Sequence, residues 1–272
     1  MSHPELLDAA LAAAEIGGAI LERHFRSATL EVSTKSKNDF VTQADHESEA
    51  AVVAEILRRF PSHRILAEEG SLNAAADSDH EWVIDPLDGT TNFLQGLPVW
   101  AVSIACRRGD EILAGVVLDP CGGNRFTASA GGGAFWNGKA MSVSSRPGLE
   151  GAFLATGYPF RARAALDVYL ELFRGVFQQS RAMRRCGAAA LDLAYVAAGV
   201  YDGFFELRLS PWDIAAGALL IVESGGVLSD LEGGERYLHS GNVLAGSPGV
   251  HRDLVAVTGG LTTERRIAEL VP

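Results

Sequence analysis

The spacing of apolar positions changes along the chain, and each spacing predicts a different kind of element. Residues 4–26 place apolar side chains on one stripe at intervals of three and four, which predicts an amphipathic helix. A second helix is predicted over 45–59, with Thr42 or Asp45 as its cap. The first part of the chain is therefore expected to be helical.

Short apolar runs separated by turn residues follow, and they predict a set of strands. The first run is 64–67, which ends at Glu68, and the next is 82–84. Turns rich in glycine, aspartate and proline then separate four further runs, at 99–106, 112–118, 124–130 and 134–136. Turns of this kind predict an antiparallel meander.

Beyond Pro147 the pattern becomes an alternation of helices and strands. Helices are predicted at 163–179, at 188–199, from Trp212 to Gly225 and from Ser247 onwards, and strands at 203–207 and 227–230. The helix after Ser247 is predicted to be the last. We expect a mixed α/β chain in two tightly packed halves, an α+β half over 1–147 and an α/β half over 148–272.

Composition limits the possible functions. The chain has 272 residues, of which 47% are hydrophobic, so it can bury a substantial core. Its 34 acidic residues against 23 lysines and arginines give a net charge of −11, which does not favour a nucleic-acid partner. The cluster Arg181, Arg184 and Arg185 is more typical of a solvated helix face than of a binding patch.

The cysteines and the apolar runs bear on location. Cys106, Cys121 and Cys186 are odd in number and widely spaced, which is typical of reduced thiols and not of a disulfide framework or a zinc site. The N-terminal residues do not have the pattern of a signal peptide, and the apolar runs are too short to cross a bilayer. We expect a cytoplasmic protein without a membrane partner.

Residues 82–93 carry the most specific chemistry in the chain, with the sequence WVIDPLDGTTNF. An apolar strand ends on two carboxylates, Asp85 and Asp88, and Gly89 and Thr90 then begin a helix. Carboxylates at a strand end favour hard cations such as Mg²⁺, and backbone N–H groups at a helix start favour phosphate. A plain surface turn would not require the apolar run before it. The motif therefore predicts metal-assisted phosphate chemistry.

Acidic residues at the end of a short apolar strand or the start of a helix form a recurring feature: Glu68, Asp85, Asp88 and Asp213. Facing one another, they would repel and raise one another's pKa unless cations held them ionised. Magnesium prefers oxygen ligands and retains several waters, so a few carboxylates suffice. The seven histidines have no zinc-type spacing. Taken alone, Asp213 is better explained as an acid favoured by a helix dipole.

Together these motifs resemble the inositol monophosphatase family of magnesium-dependent, lithium-sensitive phosphatases, in its bacterial branch, over nearly the whole chain. The resemblance rests on the Glu68-Glu69 pair, on 82–93, on RRCGAAALDLA at 184–194 and on PWDIAAG at 211–217. It implies a layered αβαβα sugar-phosphatase fold with a largely antiparallel N-terminal sheet and a smaller mixed C-terminal sheet. It also implies a homodimer.

The resemblance implies a metal site for two to three Mg²⁺ ions. Glu68, Asp85 and the carbonyl of Leu87 would hold the first ion. Asp85, Asp88 and Asp213 would hold the second, for which inhibitory Li⁺ would compete. Glu68 would also reach a third, weaker ion.

The resemblance also implies catalytic and substrate-binding roles. Thr90, with Glu68 and Asp45 behind it, would orient and deprotonate the attacking water, and the phosphate would lie against the N–H groups of Gly89 and Thr90. A sugar-like substrate would contact residues from both halves: Asp88, Gly187, Ala188, Ala189, Glu206 and Asp213. Many relatives have Ser or Thr where this chain has Ala188, which bears on substrate preference.

The expected function is Mg²⁺-dependent hydrolysis of myo-inositol monophosphate by a metal-activated water. Attack by Asp85 or Asp88 to form an aspartyl phosphate is less favoured, because a carboxylate that binds a metal is a poor nucleophile.

Two alternatives remain. One is hydrolysis of another small phosphomonoester: histidinol phosphate, fructose 1,6-bisphosphate or a 3′-phosphonucleotide. Relatives that act on phosphonucleotides tend to have Lys-Glu-Phe where this chain has Thr91-Asn92-Phe93, which disfavours that branch. The other is a regulatory interaction protein with secondary phosphatase activity, because some bacterial relatives bind the transcription machinery.

Overall fold

The computed structural model describes residues 3–27, 32–36, 39–70, 78–160, 162–261 and 263–270. The helices are α1 (His3–His24), α2 (Gln43–Arg59), α3 (Thr90–Leu94), α4 (Leu166–Phe177), α5 (Ala189–Ala197), α6 (Pro211–Glu223), α7 (Tyr237–Ser240), α8 (Pro248–Gly260) and α9 (Thr263–Leu270). The strands are β1 (Val32–Ser36), β2 (Asp39–Thr42), β3 (Arg64–Ala67), β4 (His80–Asp88), β5 (Ala101–Arg108), β6 (Glu111–Asp119), β7 (Asn124–Ser129), β8 (Gly133–Trp136), β9 (Lys139–Ala140), β10 (Phe153–Thr156), β11 (Ala182–Arg184), β12 (Gly203–Glu206), β13 (Val227–Ser229) and β14 (Val243–Gly246).

The larger sheet has the strand order β3-β4-β5-β6-β7-β8-β9. From β4 to β9 each neighbouring pair is antiparallel, as the turn residues predict. The strands β3 and β4 run parallel, with Ala67 beside Ile84. Because these two strands run side by side in the same direction, Glu68, which follows β3, lies beside the carboxyl end of β4, which carries Asp85 and Asp88.

The smaller sheet is mixed, with the order β11-β10-β12-β14-β13. In it β10 runs parallel to β11 and β12, whereas β14 runs antiparallel to β12 and β13. The strands β1 and β2 form a separate antiparallel ribbon.

Helices cover and separate the two sheets. On one face of the larger sheet α1 and α2 pack together, and α5 and α6 lie between the two sheets. The outer face of the smaller sheet is covered by α4 and α8. This arrangement confirms the predicted αβαβα layers, and it leaves α5 and α6 buried on nearly every side.

Two predictions about local structure are wrong. The helix after Ser247 is α8, but α9 follows it, and its eight residues are too short to show a clear apolar stripe in the sequence. The arginine cluster does not lie on a helix, because Ala182–Arg184 form the edge strand β11. A strand of three residues is too short to show a periodic pattern of apolar and polar positions.

The described residues contain no helix with the length and apolar character needed to span a bilayer. The division of the chain at 147 stays a prediction.

Candidate active site

A cavity of about 260 Å³ lies beside the carboxyl end of β4 and the N-terminal ends of α3, α5 and α6. All but one of the residues that the sequence assigns to the site line this cavity: Glu68, Asp85, Leu87, Asp88, Gly89, Thr90, Gly187, Ala188, Ala189, Glu206 and Asp213. The exception is Asp45, which lies behind Thr90. The walls therefore come from segments far apart in the sequence.

Three carboxylates converge at the base of the cavity. Ligand oxygens of Asp85, Asp88 and Asp213 lie within 4.8 Å of one another. The three residues are 1%, 7% and 5% exposed, so water screens them poorly. Asp213 is also the third residue of α6 and accepts the Ser210 N–H at 2.7 Å in a capping box. The helix-end role and the place in the acidic trio thus belong to the same side chain.

The trio is unfavourable as three free carboxylates. Burial, followed by the charge of Glu68, raises the pKa of Asp85 well above its ordinary value. Burial, followed by the charge of Asp213, raises the pKa of Asp88 to about 8. Three buried oxygen donors at this spacing fit a hard divalent cation, whose charge would keep them ionised.

Glu68 lines the same cavity but lies outside the trio that meets the 4.8 Å spacing. Its backbone N–H donates to the Ile84 carbonyl at 3.1 Å and so extends the pairing of β3 with β4. The next N–H, of Glu69, donates to Glu49 Oε2 of α2 at 2.7 Å. The buried Glu49 therefore fixes the turn that carries Glu68, a role that the sequence pattern does not reveal.

A hydrogen-bonded chain of side chains leads from α2 to the cavity. The Thr90 hydroxyl lies 3.1 Å from the Leu87 carbonyl and 3.4 Å from Asp45 Oδ1, both of which accept. Asp45 Oδ2 accepts the Thr42 N–H at 2.9 Å and the Thr42 hydroxyl at 2.5 Å. Thr42 is the N-cap of α2 and Asp45 is its third residue, so both predicted caps take part. The same interactions hold Asp45 in place behind Thr90.

Asn92 joins the two sides of the cavity. Its Nδ2 donates to the carbonyls of Val99 at 2.8 Å and Cys186 at 2.9 Å, with the Gly187 carbonyl at 3.3 Å. Nearby, Gly89 has a φ of +92°, and a Cβ there would lie 2.9 Å from the Val99 carbonyl oxygen. The absence of a side chain at Gly89 and the hydrogen bonds of the Asn92 amide together allow the loop before α5 to lie close to the start of α3.

The first turn of α5 is capped from another part of the chain. Ala188 is the N-cap residue and has no side-chain oxygen to offer. Asp88 Oδ2 accepts the Ala190 N–H at 2.8 Å instead. Asp88, at the end of β4, thus supplies the cap that the side chain of Ala188 cannot.

Glu206 ends β12 and is buried in the opposite wall. A Cβ at Gly157 would overlap its carboxylate, so any larger residue there would have to displace the carboxylate. Burial, followed by the charge of Asp192, raises the pKa of Glu206. The sequence patterns did not identify Gly157, Asp192 or Arg185 as cavity residues. Only Asp192 carries a signal, as an acid within an apolar helix.

Comparison with known proteins agrees with this geometry. The chain matches the family model described as the inositol monophosphatase family over residues 3–259. It is 45% identical over 254 residues to a Salmonella typhimurium protein named Nus factor SuhB, covering 93% of this chain and 95% of that one. It is 43% identical over 256 residues to the inositol-1-monophosphatase of Mesorhizobium japonicum, covering 94% and 96% of the two chains.

A solved structure of a relative has the same fold. The extragenic suppressor protein suhB from Bartonella henselae superposes with a TM-score of 0.90 at 40% identity, covering 93% of this chain and 98% of that chain. This chain therefore belongs to the inositol monophosphatase family of metal-dependent phosphatases.

Proposed function

We propose that this protein hydrolyses a myo-inositol monophosphate to inositol and phosphate, with two to three Mg²⁺ ions and with water as the nucleophile. The observation that carries the proposal is the buried trio Asp85, Asp88 and Asp213, whose oxygens lie within 4.8 Å beside the start of α3. The name of the Mesorhizobium japonicum relative supports the choice of substrate.

The metal ligands in this proposal are the trio, Glu68 and the carbonyl of Leu87. When bound, Mg²⁺ supplies positive charge to the phosphate oxygens and lowers the pKa of water. The chain contributes rigid ligands. Asp85 Oδ1 accepts the Leu87 N–H at 2.9 Å, and Asp213 Oδ2 accepts an N–H of its own helix cap. Ligands fixed in this way need little rearrangement on binding.

Thr90 and Asp45 would orient the water and take its proton. The Thr90 hydroxyl can donate to Asp45 Oδ1 while its oxygen accepts a hydrogen from the water. The two hydrogen bonds from Thr42 hold Asp45 still. The N–H groups of Gly89 and Thr90 would bind the phosphate oxygens. The water oxygen would then bond to phosphorus as the phosphorus–oxygen bond to inositol breaks on the opposite side. The proton of the attacking water would pass through the Thr90 hydroxyl to Asp45, and a solvent water would protonate the leaving inositol oxygen.

The leaving alcohol would lie against the wall made by Glu206 and the start of α5. Gly187, Ala188 and Ala189 line this wall and offer backbone groups to the inositol hydroxyls. The carboxylate of Glu206 accepts hydrogens from hydroxyl groups. Asp88 and Asp213 reach the same ring from the metal side.

A substrate panel tests the proposal. Phosphate release is measured with Mg²⁺ on myo-inositol 1-phosphate, histidinol phosphate, fructose 1,6-bisphosphate and a 3′-phosphonucleotide. We expect the highest kcat/KM on the inositol ester, inhibition by Li⁺ and loss of activity with EDTA. Turnover that survives saturating EDTA would contradict the metal chemistry. A higher kcat/KM on another ester would contradict the substrate assignment and leave the metal chemistry standing.

A regulatory role is the second candidate, and the names of relatives such as the Salmonella typhimurium Nus factor favour it. Arg184, which stacks over Phe153 at 4.9 Å, and Arg185 are exposed at the edge of the smaller sheet. Complementation of a deletion strain with Asp88→Asn separates the two roles. Full cellular function of that variant would favour regulation, whereas loss of function with normal protein levels favours catalysis.

We also expect a homodimer, a cytoplasmic location and no membrane or nucleic-acid partner. Sedimentation equilibrium of the purified protein tests the first of these expectations.

A further inference from the structure

Helix α5 contains a buried carboxylate with an oxygen that accepts no hydrogen bond from the described residues. Asp192 is the only charged residue between 189 and 197, and it is 2% exposed. Its Oδ1 is enclosed and has no hydrogen-bond partner in the described part of the chain. Burying an acid without a partner costs free energy, so a leucine or asparagine would suit the packing of this helix better. An acid kept at such a cost calls for a functional explanation.

The acid lies at the cavity, on the helix whose first turn Asp88 caps. Asp192 lines the cavity one helical turn beyond the N-cap Ala188. Burial raises its pKa, and among the trio it is the charge of Asp88 that adds to this effect. Asp88 is the member of the trio that also caps α5. This places Asp192 beside the wall that faces the leaving alcohol.

The neighbours of Asp192 on this wall are Glu206 and Arg185. All three groups line the same cavity. The charge of Asp192 raises the pKa of Glu206, and Arg185 lowers the pKa of both acids. Arg185 is exposed and stacks over Tyr158 at 5.0 Å. The wall carries one guanidinium and two carboxylates, so it has spare hydrogen-bond acceptors. A ligand that donates several hydrogens would satisfy them.

We propose that Asp192 is a specificity-determining residue that, beside Glu206, accepts hydroxyl hydrogens from the leaving alcohol and so selects polyol phosphates. The proposal rests on the proposed phosphatase function and names the part of the substrate that the wall recognises. A leaving group with a second phosphate would be repelled by the two carboxylates, and a leaving group without hydroxyls would leave them unsatisfied.

The test compares two esters with the Asp192→Asn variant, which keeps the shape and removes the charge. For myo-inositol 1-phosphate we expect KM to rise about tenfold, or about 1.4 kcal/mol, with kcat within about twofold of wild type. For p-nitrophenyl phosphate, which has no alcohol hydroxyl, we expect KM to stay within about twofold. Because an unpaired buried acid is removed, the unfolding temperature should stay the same or rise.

Two further variants keep the result decisive. Asp192→Leu matches the apolar residues of α5 and should show the same selective rise in KM if the asparagine variant folds poorly. Asp202→Asn is the matched control, because this buried acid is satisfied by the Phe153 N–H at 2.8 Å and by Arg146 at 3.5 Å. We expect this control to lower the unfolding temperature and to leave the ratio of the two KM values unchanged.

The outcomes separate this proposal from the proposed function. An unchanged KM ratio in both Asp192 variants, or a loss of thermal stability in both that matches Asp202→Asn, would overturn the role of Asp192. Failure of the wild-type protein to prefer myo-inositol 1-phosphate would overturn the proposed substrate instead, and that result comes from wild-type kinetics alone. In the Asp192 variants, a larger loss of kcat/KM for histidinol phosphate than for the inositol ester would assign the wall to an ammonium group and overturn the polyol assignment.

Discussion

The two walls of the cavity hold their carboxylates in different ways. On the metal side, Asp85 and Asp213 each accept a backbone N–H of their own segment. On the alcohol side, Glu206 lies against a glycine and Asp192 has an enclosed oxygen without a partner among the described residues. The carboxylates of the first wall are therefore fixed by the backbone, whereas we propose that a bound ligand completes the second. Variants on the metal side should therefore reduce kcat, and variants on the alcohol side should raise KM.

The largest effect is expected on the metal side, from Asp85→Asn. It removes a ligand proposed to be shared by two cations, so kcat should fall on the order of a thousandfold. Phosphate release with Mg²⁺ measures the loss. Asp110→Asn is the control, because the side chain of this acid is 75% exposed and does not line the cavity. A fall in kcat below about tenfold would contradict the sharing.

Thr90→Ala tests the proton path of the same wall. Removal of the hydroxyl next to Asp45 Oδ1 should lower kcat about a hundredfold with little change in KM, because a general base then loses its contact with water. Thr90→Ser keeps the hydroxyl and should restore most of the activity. Equal losses in the alanine and serine variants would show that the methyl group, not the hydroxyl, is what the site requires.

Gly157→Ala tests the alcohol wall. The added Cβ would displace the Glu206 carboxylate, so KM for the inositol ester should rise about tenfold while kcat changes little. Gly259→Ala in α8 is the control, because a Cβ there meets no atom of the described residues within 4 Å. A fall in kcat with an unchanged KM would contradict the prediction that variants of the alcohol wall act on KM.

The smallest effect concerns pH and stability. The ordinary pKa of Asp88 is 3.8, and in the metal-free fold it is about 8. Between these values the folded chain holds a proton that the unfolded chain has lost, so stability falls as pH rises from about 4 to about 8. In EDTA we expect the unfolding temperature to fall by a few degrees over this range.

Mg²⁺ should remove most of this decline, because a cation stabilises the ionised carboxylates that repel one another at high pH. Thermal unfolding with Mg²⁺ should therefore show a larger gain at pH 8 than at pH 5. Equal gains at both values would contradict the repulsion within the trio.

Sequence patterns predicted the acids of the metal wall because they follow local rules. Glu68 follows the apolar strand β3, and Asp85 lies near the carboxyl end of β4, so both positions can be predicted from the sequence. Asp213 lies in the first turn of α6, and its metal role was predicted from the family resemblance. The carbonyl partners of Asn92 at Cys186 and Gly187 cannot be found in this way, since they lie more than ninety residues away along the chain. The metal wall is thus encoded by short motifs, and the alcohol wall by tertiary contacts.

The same division explains which elements were found. Long helices and the meander carry enough residues to show a period, and their predicted positions are confirmed. The three-residue edge strand β11 and the short helix α9 are too short to show a period. Pairing with β10 determines β11, and burial of the Ile267 side chain determines α9.

The bond from the Ala190 N–H to Asp88 Oδ2 makes two equilibria inseparable. Any cation that draws electron density from Asp88 alters how firmly α5 is anchored, and any alcohol that steadies α5 alters how Asp88 presents its other oxygen. Under the proposed function, thermodynamic reciprocity requires inositol to change the affinity for the cation by the same factor as the cation changes the affinity for inositol. Release of the product and release of the metal would then be coupled by one free energy.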